Sequence, residues 1–313
     1  MKRLFVTGGA GFIGQHLIAM FLERSWEVRS YDLELIKNLE HPLLSQIEGD
    51  ICNQESLITA MKDCDVVVHL AAQVSVQSSM ENPTSTLKVN VEGTANVIHA
   101  CREHAINRLI VASSAAIYGD VEHFPLLEEH AGRCLSPYAE SKWENEQQVL
   151  EARKEGMEAI ALRFFNVYGS GQPTDKSYAA VIPKFVETIC EGRAPTLFGD
   201  GQNSRDFIHV RDVAAAMYEF AEEPWRGADF HAYNLATQKE TSLLELIDLI
   251  NQSMKRKYPQ HRPLKPEYQP QRSGDIVRSL ASIERVCSVV DWRPRIAFAD
   301  GIDEMVRDQL LGM

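Results

Sequence analysis

Thr7-Gly8-Gly9-Ala10-Gly11-Phe12-Ile13-Gly14 is the stretch on which the fold turns. Ahead of it, Leu4-Phe5-Val6-Thr7 is too short for a helix core and reads as a buried strand. Behind it, Ile13, Leu17, Met20 and Phe21 recur at helical spacing on one face. The spacing Gly8-x-x-Gly11-x-x-Gly14 therefore joins a strand to a helix. A pyrophosphate needs bare backbone amides at a helix N-terminus, where the N–H groups and the helix dipole both favour negative charge. Glycine lets the chain turn tightly, lets the phosphate approach and lets the helix pack on the strand. A glycine turn alone is weak evidence. Its place between strand and helix, and the acid that follows, make the case. Asp32 closes a second strand, Glu27 to Tyr31, where a carboxylate binds the adenosine ribose hydroxyls and repels a 2′-phosphate. The pair predicts NAD rather than NADP as cofactor.

Working outward, the alternation continues. Val66-Val67-Val68-His69-Leu70 and Leu109-Ile110-Val111-Ala112 are further strands, with a long helical stretch from roughly Pro83 to His104 between them. Tyr138 to Arg153 reads as helix and Ala159 to Phe165 as strand. Repeated β-α-β with apolar strands predicts an α/β fold, a doubly wound parallel Rossmann sheet covered on both faces. After Tyr168 the texture changes: Gly169-Ser170-Gly171-Gln172-Pro173 is a loop, and Lys255 to Gln271, with four prolines, is expected to be extended or irregular. Asp206 to Phe220, and Tyr233-Asn234-Leu235 with a following helix (Leu243, Leu246, Ile247, Ile250), still read as strand-helix units. The expected organisation is a NAD-binding domain over 1–168, with returning segments about 206–238. A smaller interleaved substrate lobe takes 169–205 and 239–313.

The 313 residues carry 44 acids and 32 bases, a net charge of −12, with 44% apolar and 24% charged residues. That is the mix of a soluble globular protein, and its field repels nucleic acid and anionic membrane surfaces. No apolar run is long enough to span a bilayer, and Met1-Lys2-Arg3 leads into no signal-peptide core. The six scattered cysteines make no CxxC, and the ten histidines make no HxxxH. A disulfide framework and a metal site are both disfavoured, and a cytoplasmic location is expected.

Ser113-Ser114 ends the strand that begins at Leu109, at the carboxyl edge where α/β sheets place ligands. Tyr138-Ala139-Glu140-Ser141-Lys142 puts a phenol and an ammonium at i and i+4, on one helix face. A free phenol, with a pKa of about 10, is a poor base at neutral pH. A neighbouring ammonium and the positive nicotinamide are expected to lower that value. Tyr138 would then take a proton from a substrate hydroxyl while Ser114 hydrogen-bonds the oxygen as it becomes a carbonyl. YxxxK alone is common on exposed helices; the ordered set of glycine loop, Asp32, Ser114, Tyr138 and Lys142 is not.

With these residues the chain resembles the extended short-chain dehydrogenase/reductases, specifically the nucleotide-sugar epimerases. The resemblance runs over essentially the whole length. It rests on TGGAGFIG at 7–14, Asp50-Ile51, HLAA at 69–72, NVEGT at 90–94, SSAAIYG at 113–119 and PYAESK at 137–142, then on LRFFNVYG at 162–169, GDGQNSRDFIHVRDV at 199–213 and RSGD at 272–275. It implies Ser114, Tyr138 and Lys142 as catalytic residues. It implies cofactor contacts from Gly8, Gly11, Phe12, Ile13, Asp32, Asp50, Ile51, Leu70, Ala71, Ala72, Asn90, Ser113, Tyr138, Lys142 and Phe164, with Asp50 and Ile51 beside the adenine. For the sugar nucleotide, expected to be a UDP-sugar, it implies Asn166, Arg205 and Arg272 at the diphosphate and Phe198 near the base. Ser114, Tyr138, Val74, Ala180 and Ser279 complete the substrate set.

Departures from the family sharpen the expectation. Related 4,6-dehydratases carry an Asp-Glu pair after the residue matching Ser114; here Ala115 and Ala116 leave elimination of water without a catalyst. Ser279 stands where bacterial UDP-galactose epimerases have a bulky tyrosine, and a small residue leaves room for a 2-acetamido group. Ala180 resembles the same N-acetyl-preferring epimerases, and Val74 replaces a frequent lysine. The expected activity is 4-epimerisation of UDP-GlcNAc/UDP-GalNAc through a transient 4-keto sugar. UDP-glucose/UDP-galactose 4-epimerisation and a net NAD-linked oxidoreductase are the alternatives, and a non-catalytic NAD sensor is disfavoured by the intact catalytic set. A homodimer through the helices around 88–104 and 137–153 is the family expectation.

Overall fold

The computed structural model describes residues 1–174, 180–225, 229–271 and 276–312. Its first half runs β1 (Arg3–Thr7), α1 (Phe12–Glu23), β2 (Glu27–Asp32), β3 (Leu44–Glu48), α2 (Gln54–Met61), β4 (Val66–His69), α3 (Val76–Glu81), α4 (Pro83–Leu87), α5 (Gly93–Glu103), β5 (Arg108–Ser114), α6 (Pro137–Lys154) and β6 (Glu158–Phe164). The second half runs β7 (Asn166–Tyr168), α7 (Val181–Cys190), β8 (Thr196–Phe198), β9 (Ser204–His209), α8 (Val210–Glu222), β10 (Ala232–Leu235), β11 (Glu240–Ser242), α9 (Leu243–Lys257), β12 (Glu267–Gln269), α10 (Glu284–Val289) and α11 (Phe298–Leu311). No helix among the described residues is long and apolar enough to cross a membrane.

Seven strands form one parallel sheet in the order β10-β6-β5-β4-β1-β2-β3. Successive strand residues face opposite sides, so both faces must be covered. Leu4 and Val6 join one core with Leu17, Ile18 and Phe21 of α1 and Met217 and Phe220 of α8. Phe5 and Val67 join the other with Leu57 of α2, Val97 of α5 and Val149 of α6. Each such fully buried aliphatic or aromatic side chain contributes about 1.5–3 kcal/mol. The strand order reverses between β1 and β4, and the crevice at their carboxyl ends is where such sheets bind ligands.

The chain after Tyr168 is more interwoven than a strand-helix reading suggests. β9 does not join the main sheet; it lies between β7 and β11 in a three-stranded sheet, while the α8 that follows packs against α1. β10 returns to the main sheet as its edge, beside β6. α9 instead packs with α7 and α11 around Phe185, Ile189, Leu246, Ile250 and Val306, a third core. α10 belongs to neither of these helices' core, for Val286 and Val289 pack in the first core with α1 and α8. The stretch expected to be helical from Pro83 to His104 is interrupted by a π-helical turn, Lys88–Glu92, between α4 and α5. In the proline-rich stretch, α9 continues to Lys257 and Glu267–Gln269 pairs with β8.

Candidate active site

The glycine loop meets its neighbours as a cradle. Gly8 holds φ at +72°, and a methyl there would lie 2.6 Å from the Ala71 amide nitrogen. A methyl on Gly14 would overlap the Gly8 carbonyl oxygen. β1, α1 and the end of β4 therefore come as close as bare backbone allows. α1 starts at Gly11, which offers no side chain to its first-turn amides, whereas Asn53, Ser136 and Ser242 cap α2, α6 and α9. An uncapped helix start facing a cavity is what a pyrophosphate requires. Asp32, at the end of β2, accepts from the Ala10 amide at 2.8 Å and from the Leu33 amide at 2.7 Å, and lines the same cavity. The residues present fit a dinucleotide.

That cavity, about 1320 Å³, runs from the glycine loop to β5 and α6 and on to the segment after residue 275. It brings together Gly8, Gly11, Phe12, Ile13, Asp32, Asp50 and Ile51 at one end. Leu70, Ala71, Ala72, Ser113 and Phe164 line it further along, with Ser114, Tyr138 and Lys142. Val74, Asn166, Arg205 and Ser279 also line it.

Three expected contacts fall elsewhere. Phe198 and Ala180 do not line the cavity: Phe198 is in the short β8 and Ala180 precedes α7. Asn90 is buried in the π-helical turn, one residue behind the cavity lining at Val89 and Gln73. Its amide is fully engaged, accepting from the Gln73 amide at 2.8 Å and donating to the Gln73 carbonyl at 3.0 Å and to Ser141 Oγ at 2.9 Å. It ties the loop after β4 to α6, where Ser141 Oγ donates to the Tyr138 carbonyl at 2.7 Å. Arg272 lies outside the described residues. Sequence reasoning also missed Asp120, Glu122, Phe124 and Arg278, which line the cavity in irregular segments that carry no motif.

Burial governs the ionisation of Tyr138 and Lys142. Tyr138 and Lys142 are both buried on α6, whose start is fixed by Pro137 and by Ser136 accepting from the Ala139 amide. Ser114, at the end of β5, accepts from the Ala116 amide at 3.1 Å and lines the cavity together with Tyr138. Burial raises the phenol above its ordinary pKa, and the nearby Ser114 hydroxyl only partly offsets this. The expected lowering by lysine does not appear in the protein alone. Lys142 directs Nζ at the Ala112 carbonyl, 2.9 Å away, and burial depresses its own pKa to about 8. Behind it His69, hydrogen-bonded to Thr7 and Thr94, is pushed down to about 3 by burial and then by the Lys142 charge, so it stays neutral. A tyrosine that must lose its proton here needs a further positive charge beside it.

Residues 4–236 match the model of the NAD dependent epimerase/dehydratase family. The chain belongs to that family. It is 34% identical to a putative UDP-glucose 4-epimerase of Methanocaldococcus jannaschii, over 97% of both chains. Among solved structures, the UDP-N-acetylglucosamine 4-epimerase from Methanobrevibacter ruminantium M1, in complex with UDP-N-acetylmuramic acid, superposes with a TM-score of 0.91 at 32% identity, over 100% of this chain and 99% of that one. The Thermus thermophilus UDP-glucose 4-epimerase in complex with NAD gives 0.83 at 30% identity, over 98% of both chains. Membership of an NAD-dependent family accords with the glycine cradle and Asp32. When bound, NAD supplies a hydride acceptor that becomes the donor within one turnover.

Proposed function

We propose that the chain is a UDP-sugar 4-epimerase favouring UDP-GlcNAc/UDP-GalNAc. The observation that carries the reading is that Ser114, Tyr138 and Lys142 line the same cavity as the glycine cradle. Tyr138 Oη takes the proton of the sugar 4-hydroxyl, and Ser114 holds the oxygen as it becomes a carbonyl. Lys142, charged, favours the phenolate once substrate and cofactor fill the space around it. Ala115 and Ala116 also line the cavity, so the positions where a dehydratase needs an acid and a base carry neither. Arg205 and Arg272 are assigned to the sugar diphosphate because guanidinium forks match phosphate oxygens, and the Asn166 carboxamide is assigned beside them.

Ser279 supports the acetylated substrate. It is buried on the cavity wall and its side chain is small enough to leave space for a 2-acetamido group. The M. ruminantium enzyme, named for UDP-N-acetylglucosamine, points the same way. The M. jannaschii and T. thermophilus relatives, named for UDP-glucose, favour a second reading in which the plain sugar pair is preferred. The proposal extends to a homodimer through the helices around 88–104 and 137–153; exposed Met80 and Leu87 beside them would be covered by a second copy.

An NMR time course with UDP-GlcNAc and then UDP-Glc tests the reading. Growth of the galacto anomeric signal without net NADH is expected, faster for the acetylated sugar. Steady NADH accumulation would instead identify an oxidoreductase. NAD bound with neither sugar converted would remove the proposal.

A further inference from the structure

Two segments distant in sequence line the cavity beyond Ser114: Gly119 to Leu126, after β5, and Ile276 to Ser279, ahead of α10. They are stitched to each other by main chain. The Leu126 amide donates to the Leu280 carbonyl at 2.8 Å, and the Ser282 amide donates to the Leu126 carbonyl at 3.0 Å. One side chain connects this seam to the central sheet. Asn234, on the edge strand β10, is wholly buried, and its Nδ2 donates to the carbonyls of Leu126 and Ser282, each at 3.1 Å. Its Oδ1 accepts from the Tyr118 hydroxyl at 2.5 Å.

The chain of bonds continues to the catalytic helix. Tyr118 Oη accepts from Arg163 Nη1 at 2.8 Å. Arg163 donates through Nε and Nη2 to the two oxygens of Glu146, at 2.9 and 2.8 Å. Glu146 follows Tyr138 and Lys142 on the same face of α6, and also accepts from Ser113 Oγ at 2.6 Å. A satisfied network in a low-dielectric interior is stiff, because each bond is costly to leave unmade. It joins the residues that do the chemistry to both segments that line the cavity beyond them.

We propose that Asn234 is a positioning residue for the sugar nucleotide, holding the 119–126 and 276–282 segments in register with Ser114 and Tyr138. The inference rests on the epimerase reading for its substrate and on this bonding pattern for its logic. Asn234 touches neither the cavity nor the glycine cradle, so the cofactor end is untouched by its loss. The second segment has other anchors, since the Ala281 amide donates to Asp206 at 3.4 Å and the Ser279 amide to the Ser204 carbonyl at 3.1 Å. Loss of Asn234 therefore loosens the wall without removing it.

The test compares Asn234→Ala and Tyr118→Phe with the wild-type enzyme, each purified with its NAD. Kinetics on UDP-GlcNAc and UDP-Glc are combined with calorimetric titration with UDP-GlcNAc. Asn234→Ala is expected to raise KM and Kd about tenfold, to lower kcat less than about threefold and to keep its NAD. Tyr118→Phe leaves both wall bonds in place and is expected to raise KM about two- to threefold. A residue needed only for folding lowers yield and Tm but leaves KM and Kd of the folded protein unchanged; that result overturns the proposal, as does a fall in kcat at constant KM. If Asn234→Ala does not fold, Tyr118→Phe decides by the same criteria. Titration needs no turnover, so an inactive wild-type enzyme counts against the epimerase reading alone.

Discussion

The Lys142 ammonium donates to the Ala112 carbonyl at 2.9 Å, inside the wall of the cavity rather than across it. Held there, it is desolvated and its pKa falls to about 8 from an ordinary 10.5. In the unfolded chain the same lysine keeps its ordinary value. Between the two values the unfolded state binds more protons, so stability rises with pH through this window, and the penalty is complete below the folded pKa. Urea denaturation of NAD-free wild type and Lys142→Met, from about pH 7 to about pH 10, should show wild type gaining up to about 3 kcal/mol relative to the variant. A constant gap would mean that Lys142 titrates normally.

Tyr138→Phe removes the group placed to carry the proton, while leaving the ring that fills its pocket. We expect kcat to fall by about 10²–10⁴-fold, with bound NAD unchanged. Ser114→Ala leaves the phenol in place and should cost less, about 10–10²-fold. Single-turnover formation of NADH on mixing with substrate, read at its absorbance, checks both. A Tyr138→Phe protein with near-normal turnover removes the proposed mechanism.

Gly14→Ala places a methyl against the Gly8 carbonyl, which is backbone and has nowhere to rotate. The loop must open to accept it. Purified protein should contain little NAD, and its stability should drop by about 1–3 kcal/mol, the usual cost of overpacking. NAD released on denaturation, counted per chain, and a thermal melt give the two answers separately.

Ser279→Tyr fills the small position on the cavity wall. Conversion of UDP-GlcNAc should fall by about 10–10²-fold in kcat/KM while UDP-Glc is retained, the scale on which shape alone discriminates. Equal losses on both sugars would detach Ser279 from the acetamido group.

The cofactor half was legible in sequence because its chemistry is written on consecutive residues. Gly8, Gly11 and Gly14 announce a strand-to-helix turn, and Tyr138 and Lys142 share a helix face at any helical register. Asn90 stands in a motif that gives a residue's address and not its orientation. In the π-helical turn its side chain is taken by Gln73 and Ser141. β3 and α2 passed unremarked, since the partly buried edge strand Leu44–Glu48 lacks a long apolar run. Asp120, Glu122 and Arg278 were not found because irregular segments reach the cavity by long-range bonds, which no local periodicity encodes. β9 resembled a sheet strand by composition, yet its partners are β7 and β11; pairing is decided by tertiary packing rather than propensity.

The main sheet takes its edge strand from Ala232–Leu235, and the face carrying α1 is completed by Val286, Val289 and Trp292. During translation, a nascent chain that has reached only Tyr168 has every cofactor contact proposed above but no finished core beneath them. A chain cut at Tyr168 would keep those contacts but lose Met217, Phe220, Tyr233, Val286 and Val289, the side chains that close the core beneath α1.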